Sequence, residues 1–165
     1  MNAFEYAKNM ELDGKKYYEE HADRMTEPVL KRIFEELAHD EDRHYRIFIA
    51  MARGEFGDVE AGFKTAILET TKNVFQKLKD EEKDIDAFSA EVRDAWVKAC
   101  NIEEQSEKFY KEQSEKAESD EQKDIWNRIA AEEHKHWVAI NNVINFLDRP
   151  KQWLEDAEWS NLDNL

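Results

Sequence analysis

The chain has 165 residues, enough for one domain with an apolar core; 38% of them are charged and 41% hydrophobic. Its net charge of -15 argues against a nucleic-acid partner and against an anionic membrane surface. With 4 Gly and 2 Pro, chain breakers are scarce and long helices are expected.

In chain order, the start "MNAFEYAKNMELDG" lacks a basic segment followed by an apolar one, so it does not read as a secretory signal. No apolar run is long enough to span a bilayer, and a cytoplasmic location is expected. Residues about 2–24 read as a first helix. "MTEP" (25–28) breaks it, with Thr26 as the expected N-cap of the next helix and Pro28 in its first turn. That second helix runs to about Arg53 and ends at Gly54 and Gly57. Phe63, Ile67, Val74 and Leu78 predict a helix over about 58–80, on a long connection. A third long helix is expected over about 86–117 and a fourth over about 121–147, separated by "ESD" (118–120). "DRP" (148–150) stops the fourth, and "KQWLEDAEWSNL" suggests a short closing helix. The single Cys100 excludes an intrachain disulfide and any CxxC-type site for zinc, thiol redox or four-cysteine iron; it reads as a small buried hydrophobe.

The inward stripes of these helices carry an anomaly. In the second helix, positions spaced by three and four read Leu30, Phe34, Leu37, Glu41, His44, Phe48, Met51. A buried carboxylate is costly unless it is paired or binds metal, so Glu41 and His44 mark the stripe. The first helix carries Phe4, Ala7, Glu11, Gly14, Tyr18 and Ala22. The third carries Val92, Trp96, Ala99, Glu103, Ser106 and Tyr110, and the fourth Ile125, Ile129, Glu133, His136, Ile140 and Val143. Each stripe has one Glu near its middle, and two have a His three residues later.

The halves are copies at a constant offset of 92 residues. Glu11 falls on Glu103, Tyr18 on Tyr110, Ile33 on Ile125, Ala38 on Ala130, Glu41 on Glu133 and His44 on His136. Two helical hairpins joined by a long connection make a four-helix bundle with one crossover. The helix pairs lie over about 2–54 and 86–147, the crossover over about 55–85 and a tail over 148–165, all in one domain.

Residues three apart on a helix are neighbours, so Glu41 with His44 can hold one metal ion and Glu133 with His136 another. Glu11 and Glu103 come from the other two helices. Four carboxylates and two divalent ions make a nearly neutral cluster, which a core can tolerate. Carboxylates with one imidazole per ion suit iron or manganese better than a thiolate-preferring metal. Glu36 and His39 share the spacing but lie off the stripe, and read as a solvated face.

The ordered set Glu, Glu-x-x-His, Glu, Glu-x-x-His resembles the pattern of the ferritin-like di-iron carboxylate proteins. Within that class the chain looks most like the di-iron domain of the rubrerythrin family, over residues 3–147. The resemblance is carried by "MELDGKKYYEEHA" with "LAHDEDRHYRIF", and by "IEEQSEKFYKEQ" with "AAEEHKHWVAI". It implies an all-α ferritin-like bundle holding two iron ions, with manganese as a chemical variant. Glu11, Glu41, His44, Glu103, Glu133 and His136 would be ligands, with Glu41 and Glu133 bridging. Tyr18 and Tyr110 would orient the carboxylates.

Two departures from that family matter. Its usual members carry a four-Cys rubredoxin domain, whereas this chain has one Cys, so electrons are expected from a separate donor such as a rubredoxin. Its peroxidases add a carboxylate one turn past the first Glu of the third helix; here that position is Ser106, with Glu107 one residue off. A six-ligand site is therefore expected. The five Trp (96, 126, 137, 153, 159) read as packing and interface residues; His21, His39 and His134 read as surface groups, and "DEEKDID" (80–86) as a solvated run.

The leading functional expectation is a di-iron oxidoreductase that reduces hydrogen peroxide or dioxygen. The alternative is iron binding, oxidation and storage without turnover of a small substrate, and a non-catalytic partner-binding bundle ranks third. A homodimer or higher oligomer is expected, with the 58–80 segment and the tail's Trp residues as contact candidates.

Overall fold

The computed structural model describes residues 2–55, 64–81, 88–156 and 159–160. Among these residues there are six helices and no strand. They are α1 (Ala3–Arg24), α2 (Pro28–Ala52), α3 (Ile67–Asp80), α4 (Ala90–Lys116), α5 (Asp120–Asp148) and α6 (Pro150–Glu155). The architecture is an all-α ferritin-like bundle with a short C-terminal helix. α1 pairs with α2 and α4 with α5, while α3 lies on α5, α2 and α6.

Local chemistry sets the helix ends. Asn2 caps α1 by accepting from the Glu5 amide at 2.9 Å, and Ser89 and Ser119 cap α4 and α5 by accepting from Val92 and Gln122 at 3.2 and 3.1 Å. The expected cap Thr26 does not cap α2. Pro28 has no amide proton to satisfy, so the cap falls on Glu27, whose carboxylate accepts from the Val29 amide at 3.4 Å. α2 ends at Gly54, where φ is +75°; the Gly54 amide donates to Met51 O at 3.0 Å and the Glu55 amide to Ala50 O at 2.9 Å. That paired closure needs a left-handed residue, which glycine adopts without a Cβ clash.

The connection differs from the sequence expectation. Residues 64–66 are not helical, and α3 begins at Ile67 because the Thr65 hydroxyl accepts from the Ile67 amide at 3.2 Å. Gly57, Phe63 and residues 82–86 of the acidic run lie outside the described residues. α4 likewise starts at Ala90, after Phe88 and Ser89, rather than at residue 86.

The core has two apolar zones. One contains Leu30, Phe34, Leu37, Trp96, Ala99, Ile140 and Val143, and continues onto α3 and α6. The other contains Ala7, Phe48, Met51, Tyr110, Ile125, Trp126 and Ile129. On each of α1, α2, α4 and α5 the stripe passes from one zone to the other through its Glu. Two aromatic stacks bridge the halves: Phe34 on Trp96 with centroids 3.9 Å apart, and Phe4 on Trp126 with centroids 5.2 Å apart. Trp153 and Trp159 are 3% and 2% exposed and pack on Phe75 of α3 at 5.6 and 6.0 Å. These tail tryptophans, expected as candidates for a dimer contact, therefore serve packing within the chain.

Phe34 is fully buried beneath its Trp96 stack. Phe34→Ala is expected to lower stability by about 3–5 kcal/mol through the cavity it leaves, read from urea unfolding of the metal-free protein.

Candidate metal centre

Between the two apolar zones the stripes bring together Glu11 from α1, Glu41 and His44 from α2, Glu103 from α4, and Glu133 and His136 from α5. None of the six is more than 2% exposed. Their donor atoms form two overlapping groups, Glu11–Glu41–His44–Glu133 and Glu41–Glu103–Glu133–His136, each with all its atoms within 4.8 Å of one another. Glu41 and Glu133 belong to both groups. His44 Nδ1 lies 2.9 Å from Glu133 Oε1 and 3.7 Å from Glu11 Oε2. His136 Nδ1 lies 3.3 Å from both Glu41 Oε1 and Glu103 Oε1. The two imidazoles face each other with centroids 5.9 Å apart.

Two tyrosines, both fully buried, brace the cluster from across the bundle. Tyr18 donates to Glu103 Oε1 at 2.6 Å, and Tyr110 donates to Glu11 Oε1 at 2.5 Å. The two bonds are images under the 92-residue offset, and each joins the first helix of one half to the first helix of the other. Burial, followed by the facing carboxylates, pushes both phenols well above their usual range. They therefore remain donors at any physiological pH. Gly14 makes room for Glu41, since a Cβ there would sit 3.0 Å from Glu41 Oε2.

Four acids in one dry space cannot all ionise. Burial and the charges of Glu11 and Glu103 push Glu41 well above the carboxylate range. Burial and the charge of Glu103, followed by Glu11, do the same to Glu133. Burial also opposes ionisation of Glu11, but hydrogen bonding with Glu41 and the attraction of His44 outweigh it and hold Glu11 down to about 2. Glu103 is lowered too, its burial cost offset chiefly by His136. Burial disfavours the His136 cation, yet Glu103 and Glu41 raise its pKa to about 10. In the metal-free cluster, then, charge is disfavoured on Glu41 and Glu133 and favoured on Glu11, Glu103 and His136.

One oxygen of each carboxylate (Glu11 Oε2, Glu41 Oε1, Glu103 Oε2, Glu133 Oε2) and His136 Nδ1 are buried without a hydrogen-bond partner. Orphaned acceptors converging from four helices are a costly arrangement for a core and a suitable one for a cation. Four carboxylates, two imidazoles and no thiolate fit a di-iron site.

Two buried acids escaped the sequence reading. Asp40 is fully buried and accepts from His136 Nε2 at 2.9 Å, from Arg43 and from the Thr65 hydroxyl. It fixes the imidazole so that Nδ1 faces the cluster. Glu132 is 2% exposed and accepts from the Thr65 amide at 3.1 Å; burial raises its pKa, with His44 opposing. A signal was available, because Asp40 and Glu132 are themselves 92 residues apart, each directly before a stripe Glu and four before a His.

Other expectations resolve individually. Ser106 is buried on the stripe, whereas Glu107 turns away to Lys111 at 2.8 Å and His134 at 3.2 Å, so the carboxylate one residue off does not enter the cluster. His39 and His134 are exposed, and Glu36 is half-buried outside the cluster. His21, expected at the surface, is half-buried against Tyr17 at 4.2 Å, and burial lowers its pKa. Cys100 is half-buried, its thiol pushed up by burial and then by Glu104. No described helix is long and apolar enough to cross a membrane.

An all-helical bundle with this carboxylate and imidazole set at its middle defines a ferritin-like protein of the di-iron carboxylate class. The rubrerythrin family model matches residues 2–92 and 94–160, and the chain belongs to that family. No curated protein and no solved structure matches it.

Asp40→Ala strips His136 Nε2 and Arg43 of their shared acceptor in a buried setting. The expected loss is about 3–5 kcal/mol in urea unfolding of the metal-free protein, and parental stability would mean that Asp40 carries no such pairing.

Proposed function

We propose that this chain is a di-iron oxidoreductase that reduces hydrogen peroxide or dioxygen with electrons from a separate donor protein such as a rubredoxin. The observation that carries the reading is the pair of overlapping donor groups sharing Glu41 and Glu133. In this reading Glu11 with His44 would hold one ion and Glu103 with His136 the other, with Glu41 and Glu133 shared between them. Residues 1–165 act as one domain, with helix pairs over about 2–54 and 86–147. A cytoplasmic homodimer or larger assembly goes with this proposal.

Bound iron supplies the two electrons that peroxide reduction needs, one per ion. Reduction of hydrogen peroxide to two waters would consume those two electrons and two protons. The chain's own residues hold and position. Tyr18 and Tyr110 fix Glu103 and Glu11 through short donated bonds, and their raised pKa keeps those protons in place. Asp40 fixes His136. Phe48, Trp126, Phe34 and Trp96 keep bulk water away from both ends of the cluster. Glu41 and Glu133 each face both donor groups.

Two experiments test this. The first is anaerobic ferrous titration followed by oxidant. Two irons per chain and reoxidation faster with peroxide than with oxygen are expected. Uptake far beyond two irons, without peroxide turnover, would favour iron storage instead; Ser106 in place of a further carboxylate is the feature that keeps that reading alive. Unchanged iron binding in Glu41→Ala and His44→Ala would sink both.

The second is proton release. The raised pKa values of Glu41, Glu133 and His136 make protons compete with the ions, so loading at neutral pH is expected to release protons. All three groups gain protons as pH falls, so affinity must fall with pH. Unbuffered pH recording during zinc or ferrous addition reads the release, and a release near zero would contradict the raised pKa values.

A further inference from the structure

Among the described residues of the crossover, Thr65 bonds to two buried acids beside the cluster. Thr65 lies just before α3, and its hydroxyl donates to Asp40 Oδ2, the oxygen that also takes the His136 Nε2 bond at 2.9 Å. The Thr65 amide donates to Glu132 Oε1 at 3.1 Å. Next to it, the Lys64 carbonyl accepts from Arg43 at 3.1 Å, and Arg43 also grips Asp40. Asp40 and Glu132 are the offset-related acids of the two halves, one on α2 and one on α5. A single residue of the connection therefore bonds to both.

The two contacts are unequal. The acid on α2 reaches the imidazole on α5, and the chain from Thr65 through Asp40 to His136 is unbroken. On the other side Glu132 Oε2 and His44 Nε2 are both buried without a hydrogen-bond partner. The crossover thus buttresses one imidazole firmly and leaves the other to its contact with Glu133.

We infer that Thr65 is a positioning residue that sets the metal affinity of the Glu103–His136 half above that of the Glu11–His44 half, and that metal loading in turn orders the start of α3. This rests on the two-ion reading proposed above. A chain of bonded side chains links the two events, and coupling of this kind is reciprocal. Loss of the group bonded directly to a ligand, here Asp40, typically weakens metal binding about 10–100-fold, and Thr65 stands one bond further out, so the low end of that range is expected.

The test uses the full chain, metal-free, titrated anaerobically with cobalt(II) and followed by its visible spectrum. In the parent, two cobalt ions are expected to bind in separate steps. Thr65→Val keeps the shape and the backbone amide but loses the hydroxyl, and is expected to weaken one step on the order of 10-fold while sparing the other. Thr65→Ser restores the donor and is expected to restore that step. Hydrogen exchange of the parent protein supplies a readout that needs no variant: cobalt loading is expected to slow exchange at the Thr65 and Ile67 amides. Parental affinity for both ions in Thr65→Val overturns the inference, as does equal weakening of both steps. Unchanged exchange at those amides on loading overturns it even if the variant does not fold. A parent chain that binds no cobalt overturns this inference together with the two-ion reading, whereas a parent that binds two cobalt ions with an indifferent Thr65 overturns this inference alone.

Discussion

The bundle is organised around one electrostatic constraint: four carboxyl groups share a space with no water to solvate them. An uncompensated carboxylate in such a place costs several kcal/mol, more than most single packing contacts return. Compensation can come from protons or from cations. In the metal-free chain the raised pKa values of Glu41, Glu133 and His136 favour protons there. A cation set among the same residues would compensate the carboxylates in place of protons. The helices supply rigid placement, the tyrosines hold Glu103 and Glu11, whose pKa values are lowered, and Gly14 leaves space for Glu41. The structural and the chemical roles of the six residues are in this sense one role.

Much of this was legible because helical periodicity reports which way a side chain points. Glu41 and His44 stood out because every other position on their stripe is apolar, and all seven positions are buried. The 92-residue repeat then turned one anomaly into four matching ones. What periodicity does not report is the partner waiting across space. Asp40 sits one position off the stripe and reads as part of a charged face; it is buried because the crossover folds over it and Arg43 and Thr65 neutralise it. Thr26 failed as a cap for a related reason. Several side chains near a helix start can accept from its free amides, and the closing geometry, set here by Pro28, decides among them.

The repeat is imperfect where it touches the crossover. A two-fold bundle has two equivalent seams between its halves, but a single chain crosses only once. Asp40 and Glu132 occupy equivalent positions with side chains that differ by one methylene, and only the shorter one completes a bond to an imidazole. The stretch 64–66 gives up helical structure where it meets these acids, its polar groups committed to Asp40, Glu132 and Arg43 rather than to a helical turn.

The two aromatic stacks between the halves have a further consequence. Phe4 and Trp96 are equivalent under the offset, as are Phe34 and Trp126, so each stack joins one Phe to one Trp. Were two copies of the first hairpin to associate, each contact would set Phe4 against Phe34 and leave the space of an indole's second ring unfilled. Two copies of the second hairpin would set Trp96 against Trp126 and overfill it. The mixed pair is the one the structure contains. The chain's two halves, though alike in pattern, thereby set one Phe against one Trp at each contact, a size match that favours pairing of unlike hairpins over like ones.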